Sequence, residues 1–288
     1  MTISTRSPRK FRLPTPRNLG YSFGWTGRIG IAIILFWAVV SLIGNWFTPY
    51  PVGKIVDWDY FSGVSAAHWM GTDYLGRDIF SRVLMGARFT VGIALAAVTL
   101  ACVAGVIMGM IAAVIGGWFD TLLSRLLDAL NSIPPLLFGL VVVAAVGSSI
   151  PVLVLTLAVI YTPGAYRFAR ALAVNVNTMD FVTVARARGE RTPYLIACEI
   201  FPNILGPVLA DFGVRFVFIV LVLSGLSFLG LGVQPPNADW GALVRENIAG
   251  LSAGAPAVIF PSIAIASLTI SVNMFIDNLP KKIRDRAE

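Results

Sequence analysis

Long apolar runs set the strongest limit on how this chain can fold. Residues 29–46 (IGIAIILFWAVVSLIGNW) and residues 89–115 (FTVGIALAAVTLACVAGVIMGMIAAVI) contain no charged side chain. A helix needs about 20 apolar residues to cross the roughly 30 Å hydrocarbon core of a bilayer. Runs of this length and purity therefore predict membrane-spanning helices. We expect an all-α membrane protein.

The composition agrees with this expectation. The chain is 57% hydrophobic and 13% charged, whereas soluble domains average about 45–50% apolar and about 25% charged residues. Its net charge of +7 comes from basic residues at the edges of the apolar runs, which favours orientation in a membrane over nucleic-acid binding. The two cysteines and the single histidine, His68, stand apart from one another, so neither a disulfide framework nor a metal site is predicted.

The apolar pattern predicts six transmembrane helices. Residues 129–166 carry no charge, a run too long for one crossing of ordinary tilt, and residues 147–151 (GSSIP) supply a reversal signal within it. A short link holding Asp120, Arg125 and Asp128 precedes this run. The predicted spans are about 29–46, 89–115, 134–146 with its flanks, 152–169, 205–231 and 257–276.

Basic residues predict the orientation. They concentrate in both tails and around residues 167–191, whereas the loops on the opposite side mix arginine with aspartate. The positive-inside rule therefore predicts that both termini are cytoplasmic. The expected parts are a basic cytoplasmic tail (1–27), a first transmembrane helix (28–47), an extracytoplasmic loop with an amphipathic helix (48–88), a five-helix core (89–278) and a cytoplasmic tail (279–288). Trp46, Trp58, Trp69, Trp118 and Trp240 lie near predicted span ends, as in an aromatic belt.

A charged segment, residues 180–209 (DFVTVARARGERTPYLIACEIFPNILGPVL), interrupts the apolar pattern. Val182 and Ala185 fall on one face of a short helix, and Gly189 permits the positive φ that ends it. Thr192 as N-cap, with a proline at the next position, begins a second short helix, which Pro202 stops. We predict two short helices that meet at a bend and insert into a groove on a cytosolic partner.

This segment resembles the EAA loop of binding-protein-dependent ABC importer permeases. Thr183, Val184 and Ala185 stand at the Glu-Ala-Ala positions, Gly189 matches the motif glycine, and Phe201-Pro202 stands at Leu-Pro, with Glu199 at the Ile position. Residues 68–88 (HWMGTDYLGRDIFSRVLMGAR), 203–209 (NILGPVL) and 226–244 (LSFLGLGVQPPNADWGALV) are similar to stretches of the dipeptide, oligopeptide and nickel permease family, in its DppC/OppC-type half.

The resemblance implies a type I ABC importer permease fold in the bacterial inner membrane. Residues 180–203 would hold the coupling helix that sits in an ATPase groove. The chain has no phosphate-binding loop of its own, so no cofactor is expected on it, and ATP and Mg would belong to partner ATPases. The implied partners are a second permease of the DppB/OppB type, two cytoplasmic ATPases, an extracytoplasmic binding protein and membrane lipid. The predicted coupling residues are Thr183, Val184, Ala185, Arg186, Ala187, Gly189, Thr192, Pro193 and Pro202.

Two further sets of charged residues each allow two interpretations. Asp211 and Arg215, four residues apart, share a helix face and form either a plain intrahelical ion pair or part of the pathway or its gate. Asp73, Arg77, Asp78 and Arg82 form either a solvated amphipathic helix or an extracytoplasmic surface that contacts the binding protein or the sister permease.

The broader alternatives are a self-sufficient secondary transporter and a membrane anchor without transport. A secondary transporter predicts several ionisable residues at mid-span and internal repeats. The substrate is not specified by the sequence: di- or oligopeptides, glutathione, nickel chelates, opines and sugars all occur in the family that the chain resembles.

Overall fold

The computed structural model describes residues 24–279. Most of the two basic tails, predicted to be cytoplasmic, falls outside the described residues. Within the described range the chain is helical, with one isolated β-bridge between Thr72 and Asp78. Its helices are α1 (Trp25–Ile43), α2 (Ile79–Ile115), α3 (Gly117–Asn131), α4 (Pro135–Val146), α5 (Ile150–Asn177), α6 (Asp180–Ala187), α7 (Thr192–Tyr194), α8 (Phe201–Phe228), α9 (Trp240–Glu246) and α10 (Ile259–Asp277).

Five helical segments are long and apolar enough to cross a membrane. A sixth crossing is available from α3 and α4 together, whose axes meet at 83°. Helix α4 has 12 residues and is about 18 Å long at 1.5 Å per residue, so it cannot span a bilayer alone. The single-helix segments are Trp25–Phe47, Ile79–Ile115, Ile150–Asn177, Thr192–Phe228 and Pro256–Asp277.

The segment predicted as a short link before the third span is the helix α3, which corrects that prediction. Gly116 and Gly117 both have positive φ and turn the chain between α2 and α3. Asp120 then faces α5, where Arg170 Nε lies 2.5 Å from Asp120 Oδ1. Ser124 Oγ lies 2.7 Å from the hydroxyl of Tyr166 in the same helix. Of the three charges in the predicted link, Asp120 therefore lies on the α5-facing side of a helix, whereas Arg125 and Asp128 are exposed.

The helix bundle has two opposite faces, the α6 face and the loop face. The α6 face holds α6 and the start of α7, and the loop face holds residues 48–78 and 229–258. Asn278 Nδ2 donates to Thr26 Oγ1 over 2.9 Å, so the start of α1 and the end of α10 lie together. With α3 and α4 counted as one crossing, both described ends lie on the α6 face, which agrees with the predicted even number of spans.

Helices α2 and α5 form the tightest pair in the bundle. A Cβ atom placed on Gly105 would lie 2.6 Å from Ala165 Cβ, and one on Gly109 would lie 3.2 Å from Ala169 Cβ. This Gly-x₃-Gly stripe brings the two backbones into close contact, as small residues do in membrane helices. Helix α2 has 37 residues, about 55 Å, and so exceeds the roughly 30 Å hydrocarbon core.

The amphipathic helix predicted within residues 48–88 is absent from the described structure. Residues 73–78 form a turn, and α2 begins at Ile79 and continues without a break into the second span. The Asp78 side chain accepts a hydrogen bond from the backbone of Ser81 and caps the helix. Trp240, predicted at the membrane interface, is instead buried, and its indole donates to the Val83 carbonyl over 2.9 Å.

Candidate coupling and gating site

Helix α6 ends in a complete glycine cap. Gly189 has φ +84°, its N–H donates to Arg186 O over 2.9 Å, and Glu190 N–H donates to Ala185 O over 3.2 Å. These are the two bonds of a Schellman motif, which needs a left-handed residue at this position. The predicted bend at Gly189 is confirmed, and it reverses the chain from α6 into α7.

The inner side of α6 is anchored by apolar packing. Val182 and Ala185, predicted to share a helix face, are both buried against the start of α8 and the ends of α2 and α5. Because α2 is longer than the hydrocarbon core is thick, its last turns extend beyond the core and contribute residues to this cluster. Helix α6 therefore shares one apolar cluster with three long helices. The other members of the cluster are Val106, Met110, Ala113, Ala169, Leu172, Ala173, Val176, Leu195, Ile200, Ile204 and Val208.

A polar chain adds a second attachment. The Arg186 guanidinium donates to Asn177 Oδ1 over 2.6 Å, and Asn177 Nδ2 donates to the Ala113 carbonyl over 3.1 Å. Arg186 thereby connects α6 to the last turns of both α5 and α2. Asn177 could not be identified from the sequence, because its partners lie 9 and 64 residues away.

The outer side of the bend is exposed and partly apolar. Phe181, Val184 and Tyr194 all expose large side chains, with Val184 at 58%. Arg188 and Arg191 border them, so the patch combines apolar contact area with positive charge. Among the predicted coupling residues only Ala185 faces inward; the exposed ones are Thr183, Val184, Arg186, Ala187, Gly189, Thr192, Pro193 and Pro202.

Two predicted details of the second short helix are wrong. Thr192 is the first residue of α7 rather than its cap, and no side chain caps this helix. Pro202 does not stop the helix, because residues 195–200 form a π-helical turn that joins α7 to α8. The Phe201 N–H reaches back five residues to Ile196 O, and the wider turn admits a proline that an α-helical turn would exclude.

Asp211 and Arg215 form the predicted pair. Arg215 Nε lies 2.5 Å from Asp211 Oδ2 and Nη2 lies 3.0 Å from Oδ1, with side chains only 13% and 16% exposed. The guanidinium also abuts α5, since a Cβ on Gly164 would lie 2.4 Å from Arg215 Nη1. Gly164 follows Pro163, which interrupts the α5 hydrogen bonds. The pair therefore sits at a weakened point of α5, in the same turn of α5 that contacts Gly105.

Asp73, Arg77 and Arg82 meet in a buried ion cluster rather than on a surface. Arg77 and Arg82 each bond Asp73 Oδ2, over 2.6 and 2.7 Å, and each bond Glu246 Oε2, over 2.9 and 2.8 Å. Burial lowers the pKa of Arg77, but the Asp73 and Glu246 carboxylates outweigh it and leave this pKa raised. The two positive and two negative charges of the cluster balance. Because Glu246 is the last residue of α9, the cluster also connects the loop before α2 to the end of α9.

The predicted solvated helix is therefore wrong, and burial removes these three side chains, together with Asp78, from any free surface. Glu246 was missed because it lies more than 160 residues away along the chain. Asp239 was also missed, although its partners are near in the chain: it accepts hydrogen bonds from Ser227 and from the backbones of Val233 and Ala242. Burial raises the pKa of Asp239, against the opposing effect of these donors.

The fold defines the class first: this is a multi-pass, all-α integral membrane protein with a bent helical element on one face. The chain belongs to the family described as binding-protein-dependent transport system inner membrane component, whose model matches residues 105–285.

Similar proteins with known names are also permeases of transport systems. The chain is 30% identical over 251 residues to the dipeptide transport system permease protein DppC of Alkalihalophilus pseudofirmus, covering 87% of this chain and 83% of the relative. It is 32% identical over 255 residues to the glutathione transport system permease protein GsiD of Pectobacterium atrosepticum, covering 87% and 85%. It is 32% identical over 247 residues to GsiD of Escherichia coli O157:H7, covering 85% and 82%. The chain is thus a transmembrane permease component of a binding-protein-dependent importer, as its sequence predicts.

Proposed function

We propose that this chain forms half of the membrane pathway of an ABC importer for di- or oligopeptides or a closely related small solute. The observation that carries the proposal is the exposed, Schellman-capped bend at Gly189, anchored on the ends of α2, α5 and α8. The peptide class is supported by the relatives' names, which specify dipeptide and glutathione transport.

The α6 face is the cytoplasmic face in this proposal, and both termini lie there. The outer side of α6 docks in a groove of one ATPase, where Phe181 and Val184 supply apolar contact and the adjacent arginines supply charge. ATP and Mg are held by two ATPase subunits, and a DppB/OppB-type permease completes the pathway. A binding protein delivers the substrate to the loop face. No cofactor is assigned to this chain.

Movement passes from the ATPases into the membrane through the anchors of α6. When the ATPases close, α6 shifts, and the apolar cluster together with the Arg186–Asn177 contact carries the shift into α2 and α5. The Asp211–Arg215 pair, wedged against Gly164 beside the α5 proline, braces this end of the pathway and acts as part of its gate.

The experiment is reconstitution of the chain with its sister permease, ATPases and binding protein in proteoliposomes. We expect ATP hydrolysis that the loaded binding protein stimulates, together with uptake of labelled dipeptides or glutathione. Uptake driven by an ion gradient without ATP would replace the proposal with a secondary transporter. Stimulated hydrolysis without uptake of any peptide in the panel would retain the ABC mechanism and reject the substrate class.

A further inference from the structure

A turn on the loop face, the Trp58 turn (residues 57–61), presents aromatic side chains to the surroundings. Trp58 is 96% exposed and Tyr60 is 73% exposed. Ile55 and Val64, which flank the turn in the sequence, are both more than half exposed. Because large apolar side chains are costly to leave in water, a patch of them on a folded surface marks a site of contact with a partner.

Backbone hydrogen bonds fix the Trp58 turn to the loop before α2. The N–H groups of Val56 and Asp57 both donate to the Gly76 carbonyl, over 2.9 and 3.1 Å. The Phe61 N–H donates to the Asp73 carbonyl over 3.1 Å. Since Asp73 belongs to the buried ion cluster, the exposed aromatic side chains stand on a backbone that is attached to a buried part of the loop face.

Phe61 closes the turn in a strained backbone conformation. Its φ is +58°, and it is the one non-glycine residue with positive φ among the described residues. Strain of this kind persists only where the surrounding structure enforces it, and it is concentrated at functional sites. The restraint here is the Phe61 ring, which packs inward, since a Cβ on Gly250 would lie 2.8 Å from Phe61 Cε1. Trp58 and Tyr60 therefore form preformed contact area, which the exposed side chain of Leu251 extends.

The charges beside Trp58 discriminate between the possible occupants of this surface. Asp57 and Asp59 flank Trp58, and all hydrogen bonds of Asp59 use its backbone, so its exposed carboxylate is unpaired within the described part of the chain. A membrane surface is disfavoured, because this carboxylate would enter the interface with Trp58 and meet anionic headgroups. A permanent subunit is disfavoured too, since permanent interfaces are more apolar. Aromatic side chains between carboxylates suit a partner that binds and leaves, because the charges keep the turn hydrated while the partner is absent.

We infer that the Trp58 turn is the docking site on this chain for the extracytoplasmic substrate-binding protein, with Trp58 and Tyr60 as the anchoring side chains. Tryptophan and tyrosine carry much of the binding energy of protein interfaces, and a preformed turn loses little conformational freedom on binding. The partner surface that fits is an apolar recess bordered by lysine or arginine, which would face Asp57 and Asp59. The inference rests on the proposed function, in which this binding protein approaches the loop face.

The test measures the affinity of the loaded binding protein for the complete transporter in nanodiscs, together with the ATP hydrolysis that it stimulates. Trp58→Ala should weaken binding about 30-fold and Tyr60→Ala about 10-fold, as expected for side chains at the centre of an interface. Excess binding protein should restore maximal hydrolysis in both variants, because the substitutions affect docking alone. Trp58→Phe, which retains a ring, should lose less affinity than Trp58→Ala. Asp59→Lys should slow association, most strongly at low salt.

Trp118→Ala is the matched control, because Trp118 is 73% exposed but follows the end of α2 on the α6 face. It should bind like the wild type, and every variant should keep its sister permease and its unfolding temperature. A wild-type transporter that is stimulated while Trp58→Ala binds with unchanged affinity would overturn this inference and leave the proposed function intact. Lost permease pairing in Trp58→Ala, hydrolysis that excess binding protein does not restore, or an equal loss of affinity in Trp118→Ala would also overturn it. A wild type without any stimulation would reject the proposed function, and this inference with it.

Discussion

Replacing Gly189 with valine isolates the bend from everything else in the fold. A Cβ at this position meets no atom within 4 Å, so the added side chain clashes with nothing. The perturbation is confined to the backbone, because φ is +84° and L-residues with a Cβ disfavour the left-handed region. The membrane-spanning helices remain untouched, and insertion in the membrane should be normal.

The cost is about 1–2 kcal/mol of local strain, more for a β-branched residue. That free energy corresponds to a change of about 5- to 30-fold in the population of the native bend. If docking of the ATPase requires the native bend, its affinity should fall by the same factor. Gly189→Asn should lose much less, because asparagine tolerates this conformation.

The assay is the affinity of the purified ATPase for the permease in nanodiscs, together with hydrolysis stimulated by the binding protein. Gly53 provides a matched control, since it has φ +90° and also meets no atom within 4 Å, but lies on the loop face. Gly53→Val should leave ATPase affinity unchanged. Wild-type affinity and stimulation in Gly189→Val, or an equal loss in Gly53→Val, would refute the reasoning.

Two further predictions concern buried charges. Asp211→Asn or Arg215→Gln alone leaves one charge unpaired and should cost about 3 kcal/mol of stability. The double variant should recover part of this loss, as measured by thermal unfolding and by uptake. Additive losses would show that the two residues are not coupled. Glu246→Gln leaves two arginines facing one carboxylate and should lower the unfolding temperature of the complex by several degrees. Arg245→Gln, at the exposed neighbouring position, should leave the unfolding temperature unchanged. Equal effects of the two substitutions would show that the ion cluster does not stabilise the fold.

Five of the six spans could be predicted because hydrophobicity is a local property of the sequence, whereas the third predicted span is the short helix α4, which crosses only together with α3. Gly189 could also be predicted, since a glycine between two short helical patterns has few structural uses. The end of the second short helix could not, because the π-turn before Pro202 depends on packing of Leu195 and Ile200 beneath α6. A proline taken alone predicts a stop.

The charged residues show the same division between local and distant information. The Asp211–Arg215 pair follows from their spacing of four residues in a helix. The alternating charges from Asp73 onward instead suggested a helix, because Glu246, their distant partner, cannot be identified from spacing. Helix α3 was missed since its Asp120 faces α5 and pairs with Arg170, a contact that only the folded chain creates.

The most direct test of the account is a cross-link from the outer side of α6 to an ATPase. Val184→Cys is placed in a chain whose native exposed cysteine, Cys198, is replaced by serine, and Cys102 stays buried. A cysteine at Gln234 on the loop face, in the same background, serves as control. In membranes that contain the complete transporter, we predict a cross-link between Val184→Cys and an ATPase subunit that changes in yield when ATP binds. The same cysteine should react with an impermeant thiol reagent only from the cytoplasmic side, and Gln234→Cys only from outside. A transporter that remains active while Val184→Cys gives no ATPase cross-link, or reacts from outside, would contradict the account.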